Sequence, residues 1–210
     1  MPRLTQKQRR ERTRAALIEA AAEVFAHNGY GAARVEEIAA LAQVTTGALY
    51  GHFQSKQELF LAVFDEFATQ RVRDVEQTTA GEMPGEFLAR AGADQWMDQL
   101  DAAPWRFWLH LEFAHYASAN PELKHRFALS VSAVRLAISR LLEQHIKASG
   151  LELDISADWL ATVIRALGMG LSLERLTDPE AVSAEMFGDA VELLMGLLRE
   201  RALAQGPGIR

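Results

Sequence analysis

The sequence predicts an all-α fold with about nine helices in total. Apolar residues recur at intervals of three and four along most of the chain, as they do along a helix that buries one face. No segment keeps the two-residue alternation of a strand for long, and no glycine-rich loop follows a strand-like run. These observations argue against a nucleotide-binding fold built on a sheet. With 210 residues, the chain has room for two domains.

The composition is that of a globular protein. Hydrophobic residues make up 49% of the sequence, which includes ten phenylalanines and four tryptophans. The absence of cysteine excludes a disulfide framework, a thiolate zinc site and a cysteine nucleophile. Apolar runs such as 166–173 fall far short of the roughly 20 residues that span a bilayer. Because the arginine-rich N-terminus also lacks the apolar core of a signal peptide, we expect a cytoplasmic protein.

Two short helices joined by a tight turn are predicted in residues 35–53. Either Thr45 or Thr46 is suited to cap the second helix, and residues 43–45 leave the gap expected within a DNA-binding helix-turn-helix. The apolar residues of the first helix fall at i, i+3, i+4 and i+7: Val35, Ile38, Ala39 and Ala42.

The second of these helices is too short to be stable alone, so Leu49 and Phe53 are expected to anchor it against its neighbours. Its other side is then free to contact a ligand, with small residues at the front that allow close approach and two polar rings behind. We therefore expect this side to contact DNA. Its residues are Thr45, Thr46, Gly47, Ala48, Tyr50 and His52.

A third helix start follows directly. Ser55 and Glu58 match the capping box, in which the first side chain reaches forward and the second reaches back. Lys56 is thereby placed at a helix N-terminus, where exposed N–H groups and positive charge suit a phosphate. The buried stripe of this helix is predicted to comprise Phe60, Val63, Phe64 and Phe67.

At these residues the chain resembles the TetR family of bacterial transcriptional regulators. The resemblance covers roughly residues 10–65, and its segments are Val24–Tyr30, Val35–Ala39, Val44–Phe53 and Ser55–Lys56. It implies an N-terminal three-helix helix-turn-helix domain, which we assign with a basic N-terminal arm to residues 1–54. It further implies a C-terminal helical ligand-binding and dimerisation domain, assigned to residues 55–210.

The family's function gives the corresponding expectations. The resemblance implies a homodimer that binds double-stranded operator DNA, represses transcription and is released by a small-molecule effector, here expected to be apolar or aromatic. It implies no enzymatic activity and no cofactor. A regulator that needs no ligand and an activator remain alternatives.

Two positions depart from the family's pattern. Ala33-Arg34 stands where a pair of threonines is usual, which removes a hydroxyl cap, although Arg34 is suited to replace the lost phosphate contact. Gln43 stands where the turn usually has glycine, so a non-glycine residue is expected to adopt a left-handed conformation at a modest cost.

Charge is unevenly distributed. The net charge is −6, yet residues 1–14 carry six basic side chains and one glutamate. A basic segment leading into a helix-turn-helix is typical of a DNA-binding module, and the acidic remainder argues against a DNA-architecture protein. A solvated tail that aids solubility is the alternative for the basic segment.

Six further helices are predicted after the helix-turn-helix, with a break at 80–85 that follows from its glycines and proline. The first of them is expected to connect the two domains. Their predicted ranges are 55–78, 86–100, a helix opened by Pro104, one from after Pro121 to 148, 155–176 and 183–203.

The last two helices each carry one apolar stripe. We expect the pair, near 155–176 and 183–203, to form a four-helix interface with a second copy, although each stripe also suits the monomer core. Gly168 and Gly170 are expected to let a partner backbone come close. The stripes are Leu160, Val163, Ile164, Leu167 and Leu171, and Phe187, Ala190, Val191, Leu194, Leu197 and Leu198.

The helix opened by Pro104 is the candidate ligand-binding element. A carboxylate, Glu112, lies within an otherwise aromatic face, and a charge in that position needs a partner. The partner is either a ligand, which would then favour a cationic or donating aromatic effector, or a side chain such as Arg165. The candidate ligand-binding residues are Trp105, Trp108, Glu112, Phe113 and Tyr116.

A metal enzyme is the competing class. Residues 112–115 and 122–125 each fit Glu-x-x-His, the spacing that binds di-iron centres in helical bundles. The two copies are ten residues apart across Pro121 rather than on two long, separated helices. We therefore assign no metal site and no catalytic residue.

Overall fold

The structure is a computed structural model, and it describes residues 5–78, 85–150 and 152–205. Every regular element within these ranges is a helix, which confirms the all-α fold. The bounds predicted for the last six helices agree with the observed ones to within three residues, and the predicted break at 80–85 lies almost wholly outside the described ranges. The helices are α1 (Gln6–Ala32), α2 (Val35–Leu41), α3 (Thr46–Tyr50), α4 (Lys56–Thr78), α5 (Gly85–Ala102), α6 (Pro104–Ser118), α7 (Pro121–Ala148), α8 (Ala157–Thr177) and α9 (Met186–Gln205).

The described part of the basic segment is helical from Gln6 onward. Thr5 Oγ1 accepts from the Gln8 N–H at 3.2 Å, and Gln8 Oε1 accepts from the Thr5 N–H at 2.9 Å. This reciprocal capping box satisfies two backbone donors and begins α1 at Gln6. The arginines that follow are therefore held on a helix.

The chain divides into two compact units. Unit 1 comprises Met1–Ala68 and Trp105–Ser130, and unit 2 comprises Thr69–Pro104 and Val131–Arg210. Unit 1 contains α1 to α3, the first part of α4, α6 and the start of α7. The division of the sequence at residue 54 stays a prediction.

Unit 1 is built around a cluster of aromatic rings from α1, α4, α6 and α7. Phe60 lies 5.0 Å from Phe25 and 4.9 Å from Phe113, measured between ring centroids. Phe113 also stacks on Phe64 at 4.7 Å and on Phe127 at 5.3 Å. Phe25 and Phe113 are each 1% exposed, so the rings form a closed core rather than a surface stripe. This core is where α1 and α6 meet.

Unit 2 packs α5 against α8 and α9. The Trp96 indole N–H donates to Ser172 Oγ at 2.7 Å, which joins α5 to α8 and gives a fully buried hydroxyl a partner. A smaller apolar cluster joins α4 to α7 through Val75, Ala137 and Leu141. Among the described helices of the whole chain, none is long and apolar enough to cross a membrane.

Candidate functional site

The turn between α2 and α3 has the backbone that its sequence predicts. Gln43 adopts φ of 57°, the left-handed conformation expected where the family usually has glycine. Its N–H donates to the Ala40 carbonyl at 3.0 Å, and the Val44 N–H donates to the Ala39 carbonyl at 2.9 Å. These bonds close α2 and turn the chain directly into α3, so the turn forms in spite of its non-glycine residue.

Helix α3 is a short helix with one buried side chain. Thr45 Oγ1 accepts from the Ala48 N–H at 3.1 Å, which identifies Thr45 as the N-cap. Leu49 is fully buried and Phe53 is 1% exposed, which confirms that these two residues anchor the segment. Thr46 and His52 are half-buried, while Thr45, Gly47, Ala48 and Tyr50 are exposed. The segment thus presents the side that the sequence assigns to DNA.

Arg34 occupies the N-cap position of α2 without capping it. Its side chain makes no hydrogen bond to the helix end, which confirms the expected loss of a hydroxyl cap. The residue is exposed, whereas the preceding Ala33 is 4% exposed. The guanidinium is therefore accessible to a phosphate beside the start of α2.

The start of α4 carries a capping box in which Glu58 bonds to the backbone one residue earlier than predicted. The Glu58 N–H donates to Ser55 Oγ at 3.1 Å, as predicted. Glu58 Oε2 accepts from the Gln54 N–H at 2.6 Å instead of from the Ser55 N–H. Both side chains still satisfy backbone donors at the helix end, so the start of α4 is fixed close to Phe53.

Lys56 makes structural contacts that the sequence analysis did not identify. Its ammonium donates to the carbonyls of Ala33 at 2.7 Å and of Gly31 at 3.2 Å. It also lies 4.7 Å from the centroid of the Tyr30 ring. Lys56 thus ties the start of α4 to the end of α1. Since an ammonium has three donors, the phosphate contact of Lys56 stays a prediction.

Two arginines of α1 lie against the end of α3. Arg10 Nη2 donates to the Gly51 carbonyl at 3.5 Å, and the Arg14 guanidinium lies 5.3 Å from the centroid of the Phe53 ring. Burial lowers the pKa of His52 below its usual value, and the charges of Arg10 and Arg14 lower it further. The neutral form of the His52 ring is therefore favoured within a cationic surface. The spacing of Arg10 and Arg14, one helical turn apart, is the sequence signal for this pair.

Glu112 of α6 has a partner on α1. Its Oε1 accepts from the Tyr30 N–H at 2.8 Å, just after Gly29 adopts φ of 71°. A Cβ at Gly29 would lie 3.2 Å from the same oxygen, so the close approach depends on glycine. The partner within unit 1 is a backbone amide, whereas the sequence suggested a ligand or a side chain such as Arg165. Long-range proximity of α6 to residues 29–30 has no signature in the sequence.

The aromatic residues of α6 separate into two groups. Phe113 belongs to the closed core of unit 1, and Tyr116 packs edge-on against Tyr30 with 4.7 Å between centroids. Trp105 contacts Phe67 at 5.5 Å, whereas Trp108 is 44% exposed. The contacts of Glu112, Phe113 and Tyr116 hold unit 1 together. A ligand-binding role for the five residues stays a prediction.

The apolar stripes of α8 and α9 divide between core and surface. Leu160, Ile164, Phe187 and Val191 are buried within unit 2, whereas Leu197 is 56% exposed. The remaining stripe residues are half-buried: Val163, Leu167, Leu171, Ala190, Leu194 and Leu198. The division leaves apolar area on the outer part of α9.

The two glycines of α8 differ in their surroundings. A Cβ at Gly168 would lie 2.8 Å from the Phe187 ring, so this glycine admits an aromatic side chain of the same chain. The expectation that it admits a partner backbone is corrected accordingly. A Cβ at Gly170 would meet nothing within 4 Å, so that position is open.

Within residues 5–78, 85–150 and 152–205, no group of three or more histidine, aspartate or glutamate side chains is arranged to hold a metal ion. In the first Glu-x-x-His segment, Glu112 is instead bonded to the Tyr30 amide.

Comparison with known proteins identifies the N-terminal segment. Residues 17–63 match the model of the bacterial regulatory proteins of the tetR family. The transcriptional activator FasR of Mycolicibacterium smegmatis is 37% identical over 92 residues, which are 44% of this chain and 42% of that protein. A transcriptional repressor of Mycobacterium tuberculosis is 34% identical over 82 residues, which are 39% of this chain and 42% of that protein. The chain thus spans less than half the length of these relatives.

Solved structures share the whole fold at lower identity. A transcriptional regulator from Pseudomonas aeruginosa has a TM-score of 0.77 at 21% identity, with 98% of this chain and 97% of that one covered. FadR from Bacillus subtilis, solved in complex with stearoyl-CoA, has a TM-score of 0.73 at 18% identity, with 86% and 96% covered. The matched proteins are transcriptional regulators rather than enzymes. Residues 17–63 therefore match the bacterial regulatory proteins of the tetR family, and the chain as a whole shares the fold of the solved regulators.

Proposed function

We propose that the protein is a sequence-specific DNA-binding transcriptional regulator and not an enzyme. The observation that carries the proposal is the geometry of α3, whose single buried residue, Leu49, leaves the opposite side accessible. The Thr45 cap and the closed turn at Gln43 hold this side in one orientation. A rigid, exposed helix beside cationic side chains has the features needed to enter a DNA groove.

Different residues of this surface are proposed for different parts of DNA. Thr46, Gly47 and Ala48 approach base edges, where the methyl and hydroxyl groups of Thr46 provide contacts for readout. The residues proposed to contact or approach phosphates are Arg34, Thr45, Tyr50, His52 and Lys56. We add Arg10 and Arg14 to the cationic surface, because both lie against the end of α3. Phosphate contacts position the protein, and base contacts select the sequence.

A homodimer formed by α8 and α9 is proposed to present two copies of α3. Leu193 and Leu197 on α9 are 65% and 56% exposed, and Leu173 on α8 is 40% exposed. Such residues favour an interface when they lie on neighbouring helices. Two-fold symmetry then allows the two copies of α3 to contact two half-sites about 34–36 Å apart on one side of the duplex.

The effector is proposed to be a small apolar or aromatic molecule that binds the helical domain. The structural neighbour FadR was solved with stearoyl-CoA, which supports an apolar chain as one form of effector. Trp108 is the accessible candidate contact on α6, while Trp105, Glu112, Phe113 and Tyr116 are the remaining candidates. Repression is released if the effector binds better to the conformation that does not bind DNA. Relatives act as activators and as repressors, so activation is the alternative.

Selection of genomic DNA fragments on the purified protein tests the proposal. We expect the recovered fragments to share one sequence with two-fold symmetry, and we expect a scrambled version of it to bind far more weakly. Recovery of fragments without a common sequence would contradict the proposal. The experiment needs no knowledge of the effector, because a repressor binds its operator without one.

A further inference from the structure

Arg165 lies in the middle of α8 and is half-buried. Of the four positions one turn away on the same helix, Ala161 and Gly168 are buried, Met169 is half-buried and Thr162 is exposed. Ile164, the residue before it, is 7% exposed. Arg165 therefore lies at the border between the buried part of unit 2 and its surface.

Arg165 differs from the other half-buried arginines of unit 2 in its lack of a partner. Arg175 donates to both carboxylate oxygens of Asp101, at 2.8 and 2.7 Å, and to the Val182 carbonyl. The others also have partners: Arg71 contacts Gln99 and Trp96, Arg90 contacts Asp189 and Glu192, and Arg135 contacts Asp158. Across the described ranges of the chain, Arg165 makes neither a hydrogen bond nor an ion pair.

The surroundings of Arg165 are electrostatically unfavourable to its charge. Burial lowers its pKa below the usual value, and the neighbouring cation Arg135 on α7 lowers it further. Arg135 already binds Asp158, so that carboxylate compensates one of the two guanidinium groups. The three groups together carry one uncompensated positive charge. A partly buried charge of this kind is costly unless an anion binds to it.

We propose that Arg165 binds the anionic head group of the effector, which would be an amphipathic molecule with a carboxylate or phosphate attached to an apolar body. This proposal rests on the proposed function as an effector-controlled regulator. A single bound anion neutralises the excess charge, and the fork of N–H donors on a guanidinium suits either oxyanion. The apolar body is that of the effector class named in the proposed function.

The proposal replaces the expectation of a cationic effector at Glu112. That expectation requires a carboxylate in need of a partner, and Glu112 Oε1 already accepts from the Tyr30 N–H. Among the described residues, the half-buried guanidinium that lacks a partner, Arg165, lies on α8 and is positive, so the complementary head group is negative.

Four probes that share one alkyl chain test the charge of the head group. Dodecanoate, dodecyl phosphate, dodecanol and dodecyltrimethylammonium are each added below the concentration at which they form micelles. The melting temperature of the protein and the release of its selected operator are then measured. We expect dodecanoate, dodecyl phosphate or both to raise the melting temperature and release DNA, with a weaker effect of dodecanol and none of the cation. The stronger of the two anions identifies the head group as a carboxylate or a phosphate.

Four arginine variants separate binding from structure. Arg165→Met should weaken anion binding by roughly 10- to 100-fold, the range for hydrogen bonds to a charged group. Arg165→Lys should keep part of the response. Arg140→Met, at an exposed position of α7, should change nothing. Without probes, Arg165→Met should melt at or above the temperature of the unsubstituted protein, because an unpaired charge is removed. Arg175→Met, which breaks a paired arginine, should melt lower.

Three outcomes would overturn the proposal: no response of the unsubstituted protein to either anion, an unchanged response in Arg165→Met, or a melting temperature of unliganded Arg165→Met as low as that of Arg175→Met. If Arg165→Met does not fold, the Arg165→Lys variant and the probe series still decide the question. Operator binding without probes is measured in the same experiment. A protein that binds its operator but ignores both anions refutes the anion site alone, and a protein that binds no operator refutes the proposed function.

Discussion

Substitution of Glu112 tests whether its bond to the Tyr30 amide holds α6 against the end of α1. In Glu112→Ala the Tyr30 N–H, part-buried in the structure, loses its acceptor. A hydrogen bond to an ionised group contributes about 1.5–3 kcal/mol, and the lower end applies because Glu112 is only half-buried. We therefore expect the free energy of unfolding to fall by about 1.5 kcal/mol.

The same estimate gives the expected change in melting temperature. For a chain of this size each kcal/mol corresponds to about 2–4 °C, so Glu112→Ala should melt about 3–6 °C lower. Glu112→Gln retains a neutral acceptor oxygen and should lose about half as much. Glu23→Ala is the matched control, because Glu23 is an exposed carboxylate of α1 in the same unit.

Thermal unfolding followed by circular dichroism, without effector, measures these differences. Equal melting temperatures for Glu112→Ala, Glu23→Ala and the unsubstituted protein would refute the structural role of Glu112. If, in addition, Glu112→Gln altered the response to an effector, Glu112 would be a ligand contact as the sequence suggests.

Four further predictions concern the DNA surface, the dimer and the backbone. Lys56→Ala should lower the melting temperature, because two backbone carbonyls lose a hydrogen-bond donor. If Lys56 also contacts one phosphate, the variant should reduce the slope of log affinity for operator against log salt concentration by about 0.9. An unchanged slope would leave Lys56 a purely structural residue. Leu197→Glu should yield folded monomers that bind operator weakly, and sedimentation that still shows a dimer would exclude this face of α9. Gly168→Ala should lower the free energy of unfolding by about 1–3 kcal/mol, because its Cβ would overlap the Phe187 ring. Gly170→Ala should leave that free energy unchanged or raise it by up to about 1 kcal/mol. Urea unfolding measures both differences. Gln43→Gly should raise the free energy of unfolding by up to about 1 kcal/mol, because glycine adopts the left-handed conformation without strain. A lower free energy of unfolding would show that the turn carries no strain.

The predictions that succeeded from sequence rest on local interactions. The Thr45 cap, the left-handed Gln43 and the burial of Leu49 each depend on residues within a few positions, and short-range spacing is what a sequence displays directly. The start of α1 also depends on a local interaction, because Gln8 completes the capping box with Thr5 three residues earlier.

The contacts that the sequence did not reveal join residues far apart along the chain. Glu112 meets Tyr30 across 82 positions, and Lys56 meets Ala33 across 23. Both contacts involve backbone groups, which every residue carries and which therefore leave no mark in side-chain patterns. Gly168 shows the same limitation: its role depends on the Phe187 ring, and a small residue on a helix does not indicate which neighbour approaches it.

The central claim is that the exposed side of α3 selects the DNA sequence. The most direct measurement compares the sequences selected by the unsubstituted protein and by Thr46→Ala, with affinities determined on both. Because Thr46 is assigned to base edges, we expect Thr46→Ala to lose or change its preference at one symmetry-related position in each half-site. The cost should be about 1–3 kcal/mol on the original sequence and much less on others. An unchanged preferred sequence, bound with unchanged affinity, would contradict the assignment of α3 as the reader helix.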